Sequence, residues 1–364
     1  MAKESNNSTA ELIKRLSLAV GVSGYSGPNN IHDVVTTELT PYVDRVERDR
    51  MGSVIGIKEG RRQANNASQD TKIENRKIML AAHLDEIGAI VTKIDKGFLR
   101  FTQIGGLDDR VLMGQEVIVH AQRDLPGIIG SIPPHLLPPD RANNSVDLRE
   151  MHIDVGLPPR QVNQLVQIGD LISFHHPPET LLNGLLSGKA MDNRSSIAAM
   201  IACLRELQKM HHQWDVYAVA TADEEWGGFV GATTQSYAIR PDIAIAIDVT
   251  FADVDEIEVK LDKGPVIALG PSNHPVMRER LVKLCGDLEL KYQSELMPSG
   301  AGTDAFAIEI SREGVPTILI SVPSRYMHSP VEVVHPKDVM RTGRLMAHFI
   351  AGLDEAFVEE LAPK

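Results

Sequence analysis

Four short apolar segments, each followed closely by a histidine or an acidic residue, constrain the fold of this chain most. They are residues 78–82 before His83, 217–220 before Glu224 and Glu225, 243–247 before Asp248, and 317–320 before His328. Short, continuously apolar runs are typical of strands that are buried on both faces of a sheet. Open α/β sheets bind ligands just outside the carboxyl ends of their strands. The sequence therefore predicts that these polar side chains meet at one edge of a sheet.

The rest of both chain ends alternates between strand and helix patterns. Apolar residues recur at helical spacing in residues 197–207, and residues 10–20, 276–290 and 337–357 also have the pattern of helices. Such alternation favours a mostly parallel sheet that is covered by helices on both faces. We therefore predict one discontinuous α/β domain, formed by residues 1–86 and 177–364.

Residues 87–176 interrupt this alternation. Short β-like pieces, such as residues 116–119 and 127–129, are separated by Gly and Pro, and no long helical period is visible. This texture predicts a small all-β insert. The polar stretch at 61–76 and the Pro-rich stretch at 133–139 predict surface loops.

Composition restricts the partners that we expect. The formal net charge of -12 argues against a nucleic-acid surface, because phosphate binding needs clustered Lys and Arg. No apolar run approaches the roughly 18 residues of a membrane span, and the polar start has no signal-peptide pattern. Cys203 and Cys285 lie in apolar, helix-like segments, where free Cys behaves as a small hydrophobe. We expect a cytoplasmic protein without nucleic-acid or membrane partners.

The side chains that follow the apolar segments are donors that divalent cations accept. Two histidines and three carboxylates at one sheet edge suit a pair of zinc-like cations that share a carboxylate. Asp192, which lies just ahead of a predicted helix, is the candidate for the shared ligand. Asp85 would point the same way as His83 and could accept the other ring N–H of that histidine. The competing interpretation of each segment is an ordinary polar turn.

Glu224 and Glu225 form the most informative of these segments. Burying adjacent carboxylates is costly unless they pair or bind a cation. One of the two could ligate a metal, and the other could take a proton from water whose pKa the metal has lowered. Their spacing does not decide which does which. The other histidines, among them His211 and His212, lack such company and are interpreted as surface residues.

Ordered motifs cover nearly the whole chain: residues 82–88, 191–194, 224–232, 247–248, 302–305 and 325–330. Together they resemble the M42 family of di-metal aminopeptidases, the tetrahedral enzymes that are also described as glutamyl aminopeptidases or endoglucanases. The resemblance implies a zinc-peptidase-like α/β fold. It also implies that the insert at 87–176 serves dimerisation, and that dimers can assemble into a dodecamer.

The resemblance also implies a role for each candidate residue. One metal would bind His83, Asp192 and Asp248. The second metal would bind Asp192, Glu225 and His328. Glu224 would be the general acid/base, and Asp85 would orient His83. Each subunit would hold two divalent ions, zinc or cobalt first and manganese as an alternative. The substrates would be peptides with a free N-terminus. A cis peptide bond after Asp192 is implied as well.

Two other functions fit parts of the same pattern. Carboxylate pairs also serve glycosidases, but glycoside hydrolysis does not need His83 and His328 as metal ligands. A non-catalytic assembly protein could keep the fold with a relict site. The agreement of the motifs favours the metalloaminopeptidase, while the preferred N-terminal residue stays open.

Overall fold

The computed structural model describes residues 2–61, 75–136, 145–255, 257–299 and 302–361. Most of the polar stretch predicted at 61–76 lies outside these ranges, as do residues 137–139 of the Pro-rich stretch.

The helices largely follow the predicted segments. They are α1 (Ala2–Leu18), α2 (Ile31–Leu39), α3 (Pro159–Leu165), α4 (Met191–Leu207), α5 (Val230–Ile239), α6 (Pro275–Asp287), α7 (Asp304–Glu309), α8 (Pro336–Ala351) and α9 (Phe357–Glu360). The single helix predicted over 337–357 is divided, because α8 ends at Ala351 and the chain turns before α9. Within the described ranges, no helix is long and apolar enough to cross a membrane.

The strands fall into two groups along the chain. They are β1 (Arg45–Arg48), β2 (Val54–Lys58), β3 (Lys77–His83), β4 (Gly88–Asp95), β5 (Phe98–Ile104), β6 (Glu116–His120), β7 (Asp124–Gly130), β8 (His152–Asp154), β9 (Leu171–Phe174), β10 (Glu179–Thr180), β11 (Leu186–Gly188), β12 (Asp215–Thr221), β13 (Ile243–Phe251), β14 (Val266–Leu269), β15 (Gln293–Leu296), β16 (Thr317–Arg325) and β17 (Glu332–Val334). Strands β4 to β9 form one group, and the remaining strands form the other.

A large sheet forms the centre of the molecule. Its order is β1-β2-β12-β3-β13-β16-β17-β11-β10, with β14 and β15 attached beside β16. The central strands β12, β3, β13 and β16 are parallel. On β3, Ile78 and Leu80 pack with α1, α4 and α8, whereas Met79 and Ala81 pack with α5 and α7 on the other face. The predicted α/β class, with helices on both faces, is therefore confirmed.

The second group of strands forms a closed antiparallel barrel between Gly88 and Phe174. Its order is β4-β5-β8-β7-β6-β9. Alternate residues such as Val117, Val119 and Ile153 point into a separate apolar core. Closure removes the unpaired edges that an open sheet would expose. The predicted small all-β element is therefore present, joined to the large sheet directly after β3 and before β10.

Candidate functional site

The parallel strands bring the predicted side chains to one edge of the large sheet. His83 is the last residue of β3, Glu224 lies three residues beyond the end of β12, and His328 lies three residues beyond the end of β16. Asp248 differs from the expectation, because β13 continues past it to Phe251. The reason is that β13 stays paired with β16 over this length.

The shortest distances centre on Asp192. Its Oδ1 is 3.1 Å from Nε2 of His83, and its Oδ2 is 3.5 Å from Nε2 of His328. Nε2 of His83 is also 3.8 Å from Oδ1 of Asp248, and Nε2 of His328 is 3.7 Å from Oε2 of Glu225. Each carboxylate oxygen of Asp192 thus faces a different histidine.

These side chains line a cavity of about 310 Å³. Ligand atoms of His83, Asp192 and Glu225 lie within 4.8 Å of one another. Imidazole nitrogens and carboxylate oxygens are suitable ligands for zinc and for other first-row divalent ions. The residues present therefore fit a metal centre at this edge of the sheet.

The charges of the site also fit bound cations. Burial, together with repulsion from neighbouring carboxylates such as Asp192, raises the pKa of Asp248 to about 8 and that of Glu224 to about 9. The same two causes raise the pKa of Glu225 well above its usual range. Burial lowers the pKa of His83, but the surrounding carboxylates, Glu224 first, outweigh it and raise that pKa well above the usual value. Positive charge among these groups would relieve the repulsion.

Asp85 connects the strand end of β3 to the two glutamates. Its Oδ1 accepts the backbone N–H of Glu224, and its Oδ2 accepts that of Glu225, both at 3.1 Å. The hydroxyl of Ser23 also donates to Oδ2 at 2.7 Å. Nδ1 of His83 is 3.6 Å from Oδ1 of Asp85 but 3.3 Å from its carbonyl oxygen. Asp85 therefore holds the turn that carries both glutamates, as well as facing His83.

The two glutamates have different surroundings, a distinction that their spacing in the sequence could not give. The side chain of Glu225 is 3% exposed and lies beside His328, whereas that of Glu224 is 11% exposed and lies 3.9 Å from Nε2 of His83. Both line the cavity. Glu224 is thus the more accessible carboxylate of the pair.

Glu332 is a part of the site that sequence reasoning missed. It is 1% exposed. Its Oε2 accepts the backbone N–H of Asp192, and its Oε1 accepts that of His328, both at 2.9 Å. Burial and repulsion from Asp192 raise the pKa of Glu332 well above its usual range. Glu332 therefore ties together the two segments that carry Asp192 and His328.

The barrel contributes a wall of the site through Gly105 and Gly106, which follow β5. A Cβ atom on Gly106 would lie 2.9 Å from Nδ1 of His328, and one on Gly105 would lie 3.2 Å from Oε2 of Glu225. Gly105 also has a φ of +82°, a region that favours glycine. Only residues without a side chain allow the barrel loop to approach these groups so closely.

A buried ionic cluster lies behind the site. Nζ of Lys189 is 2.7 Å from Oε2 of Glu86, and Nη2 of Arg194 is 3.7 Å from Oε1 of the same carboxylate. Nη1 of Arg194 donates to the carbonyl of Leu16 in α1 at 2.7 Å. The cluster thus joins α1 and α4 to the segment that follows Asp85.

One expectation about local structure is wrong, and another is met. His212 is buried rather than on the surface, and its Nδ1 lies 2.9 Å from the carbonyl oxygen of Trp214. The peptide bond between Asp192 and Asn193 is cis, as the resemblance implied.

The profile of the M42 glutamyl aminopeptidase family matches residues 65–345. The chain belongs to this family. A lysyl aminopeptidase from Pyrococcus furiosus is 34% identical over 362 residues, which cover 97% of this chain and 97% of that protein.

Solved structures agree with this assignment. A TET aminopeptidase from the marine sediment archaeon Thaumarchaeota archaeon SCGC AB-539-E09 has a TM-score of 0.88 and 32% identity, covering 98% of this chain and 100% of that one. The TET1 peptidase of Pyrococcus horikoshii, described as assembling into a tetrahedron or a large octahedral shell, has a TM-score of 0.81 and 29% identity over 95% of this chain and 100% of its own. This M42 protein is a metal-dependent aminopeptidase, which confirms the predicted class of peptide hydrolase.

Proposed function

We propose that this M42 protein removes N-terminal residues from peptides at a centre that holds two divalent ions. The observation that carries the proposal is the position of Asp192, whose two oxygens face His83 and His328 separately. One ion would bind His83, Asp192 and Asp248, and the other would bind Asp192, Glu225 and His328. These N and O donors suit zinc or cobalt, and they also accept manganese.

The protein's own groups would position the substrate and move the proton. When bound, the two ions would supply a Lewis acid for the scissile carbonyl and would lower the pKa of the attacking water. Glu224 lines the cavity and is held by the contact between its backbone N–H and Asp85. We assign to Glu224 the transfer of a proton from the attacking water to the leaving amine. By accepting both backbone N–H groups, Asp85 would fix the positions of Glu224 and of the ligand Glu225.

Replacing Glu224 with Gln tests this assignment. The amide has nearly the same shape but cannot accept the proton, so we expect turnover of amino-acyl anilides to fall about 10²–10⁴-fold. Bound metal, measured by elemental analysis, should stay at the wild-type level. The matched control is Glu225→Gln, which should lower bound metal as well as turnover.

Two results would contradict the proposal. Near wild-type turnover by Glu224→Gln would show that another group moves the proton. The second result would support glycoside hydrolysis instead. It is cleavage of a soluble β-glucan by a chelated sample at the same rate as by the metal-loaded sample. An aminopeptidase of the proposed kind loses its peptide hydrolysis on chelation and regains it when a divalent ion is added back.

We also propose that residues 87–176 form a self-association domain and that residues 1–86 with 177–364 form the catalytic domain. The closed barrel and the assemblies described for the P. horikoshii relative support this division. Ile128 is 55% exposed on β7, and Lys at this position should weaken an apolar contact between barrels. Sedimentation should then show a smaller species than the wild-type dimer or dodecamer.

A further inference from the structure

The cavity of the candidate site contains an acidic side chain that the proposed chemistry does not use. Glu295 on β15 lines the cavity together with the proposed metal ligands and Glu224. It belongs to neither proposed ligand set. Its position in the cavity therefore raises the question of what it recognises.

The carboxylate of Glu295 has no basic partner among the described residues, so a positively charged ligand group could bind it. The hydroxyl of Thr250 donates to its Oε2 at 2.6 Å. Among the described residues, no Lys or Arg lines the cavity, and no ion pair links Glu295 to a basic side chain. The nearby Arg278 instead bonds to Ser294, which points to the other face of β15. The carboxylate is half-buried, so a charge-assisted bond to a ligand would be stronger than one in open water.

The distance between Glu295 and the proposed metal centre suits a long substrate side chain. Thr250, its partner, follows Asp248 by two residues on β13, and both line the cavity. A strand rises about 3.4 Å per residue, so Thr250 lies about 7 Å from Asp248 along the strand. Long basic side chains such as Lys and Arg span distances of this order, whereas short side chains do not.

The walls of the cavity suit the apolar stem of such a side chain. Met297, Leu319 and Phe251 line the same space as Glu295. Lys and Arg bury their methylene groups against apolar surface while the charged end finds a polar partner. The cavity therefore combines an apolar wall with a carboxylate, that of Glu295, for which the described residues provide no basic partner.

We propose that Glu295 is a specificity-determining residue that selects peptides with a basic N-terminal residue, Lys or Arg. This inference rests on the proposed function, because it names the substrate class of the same site. The ammonium or guanidinium group of that residue would bond to Glu295. An acidic residue there would be repelled, and an aliphatic one would leave the carboxylate without a charged partner.

The test compares Lys, Arg, Leu and Glu anilides on the metal-loaded, full-length protein. In the wild type, kcat/KM for the basic substrates should exceed that for the Glu substrate by about 10–100-fold, the range of a hydrogen bond to a charged group. Glu295→Gln should lower kcat/KM for Lys and Arg by a similar factor, mainly through KM, with little change for Leu. Glu313→Gln, at an exposed position, is the matched control and should change none of them.

Binding without turnover gives an independent readout. Calorimetry should show that L-lysine binds the wild type more tightly than L-norleucine, which has the same stem without the charge. Glu295→Gln should remove this difference.

Three outcomes would overturn the inference. An equal loss for all four substrates in Glu295→Gln would mean that Glu295 acts on the common α-amino group or on the fold. If the wild type preferred the Leu or Glu substrate and Glu295→Gln did not change the kinetics, Glu295 would not select basic residues. The aminopeptidase proposal would still stand. If the metal-loaded wild type hydrolysed none of the anilides, the proposed function itself would fail, and this inference with it.

Discussion

Replacing Glu332 with Gln would test how the metal centre is held together. The carboxylate of Glu332 accepts one backbone N–H from the segment of Asp192 and one from the segment of His328. The Gln amide has the same length but only one oxygen. Its NH₂ group would therefore face a backbone N–H that also donates, and one buried donor would lose its partner.

The size of the effect follows from that lost partner. A buried donor without an acceptor costs about 1–3 kcal/mol, which corresponds to roughly 5–150-fold in an equilibrium constant. Groups that orient metal ligands change metal affinity by about 10–100-fold when they are replaced, which is the same range. Asp192 lies in both proposed ligand sets, so we expect Glu332→Gln to weaken both binding steps. The ion that also uses His328 should be affected more.

The assay is a calorimetric titration of metal-free protein with zinc, and separately with cobalt, for the wild type and Glu332→Gln. Glu279→Gln is the control, since it makes the same substitution at an exposed position of α6. Thermal unfolding of the metal-free variants separates a loss of affinity from a loss of fold. If Glu332→Gln bound both ions with wild-type affinity, the view that Glu332 holds the two ligand segments would be wrong.

Two further predictions concern pH and packing. Because burial raises the pKa of Asp248 to about 8 and that of Glu224 to about 9, the metal-free site holds protons that a bound cation displaces. Metal affinity should therefore rise as pH increases from 6 to 8, and calorimetry in buffers of different ionisation enthalpy should detect the released protons. Gly343→Ala should destabilise the fold by about 1–3 kcal/mol in urea unfolding, because its Cβ would lie 2.6 Å from a backbone oxygen of α4. Gly286→Ala, with no atom within 4 Å of its Cβ, should be neutral or stabilising by up to about 1 kcal/mol.

The central strands can be predicted from the sequence because they are buried on both faces of the sheet. Residues 243–250 of β13 are all buried, and the first five of them form a continuous apolar run. Ligand candidates such as His83 and His328 are recognisable in the sequence because each follows such a run. The position of a residue after a strand can be predicted from the neighbouring sequence alone, without knowledge of distant contacts.

The remaining parts of the site depend on contacts that local patterns do not contain. The bond from Asp192 to Glu332 joins residues 140 positions apart. In the sequence, Glu332 stands between two valines and has the alternation of an ordinary strand with an outward charge. Gly106 likewise has the appearance of a turn glycine until His328 is placed beside it.

The way the barrel is attached limits how this architecture can be changed. The chain enters the barrel just after Asp85 and leaves it ahead of Asp192, and the Gly105–Gly106 loop touches Glu225 and His328 in between. The barrel is therefore joined to the α/β part by two covalent connections and also contacts the candidate site through this loop. A displacement of about 1 Å at a catalytic group can cost about 10²-fold in rate. A foreign domain that matched only the two covalent connections would lack this loop contact, so replacing the barrel with it should lower turnover.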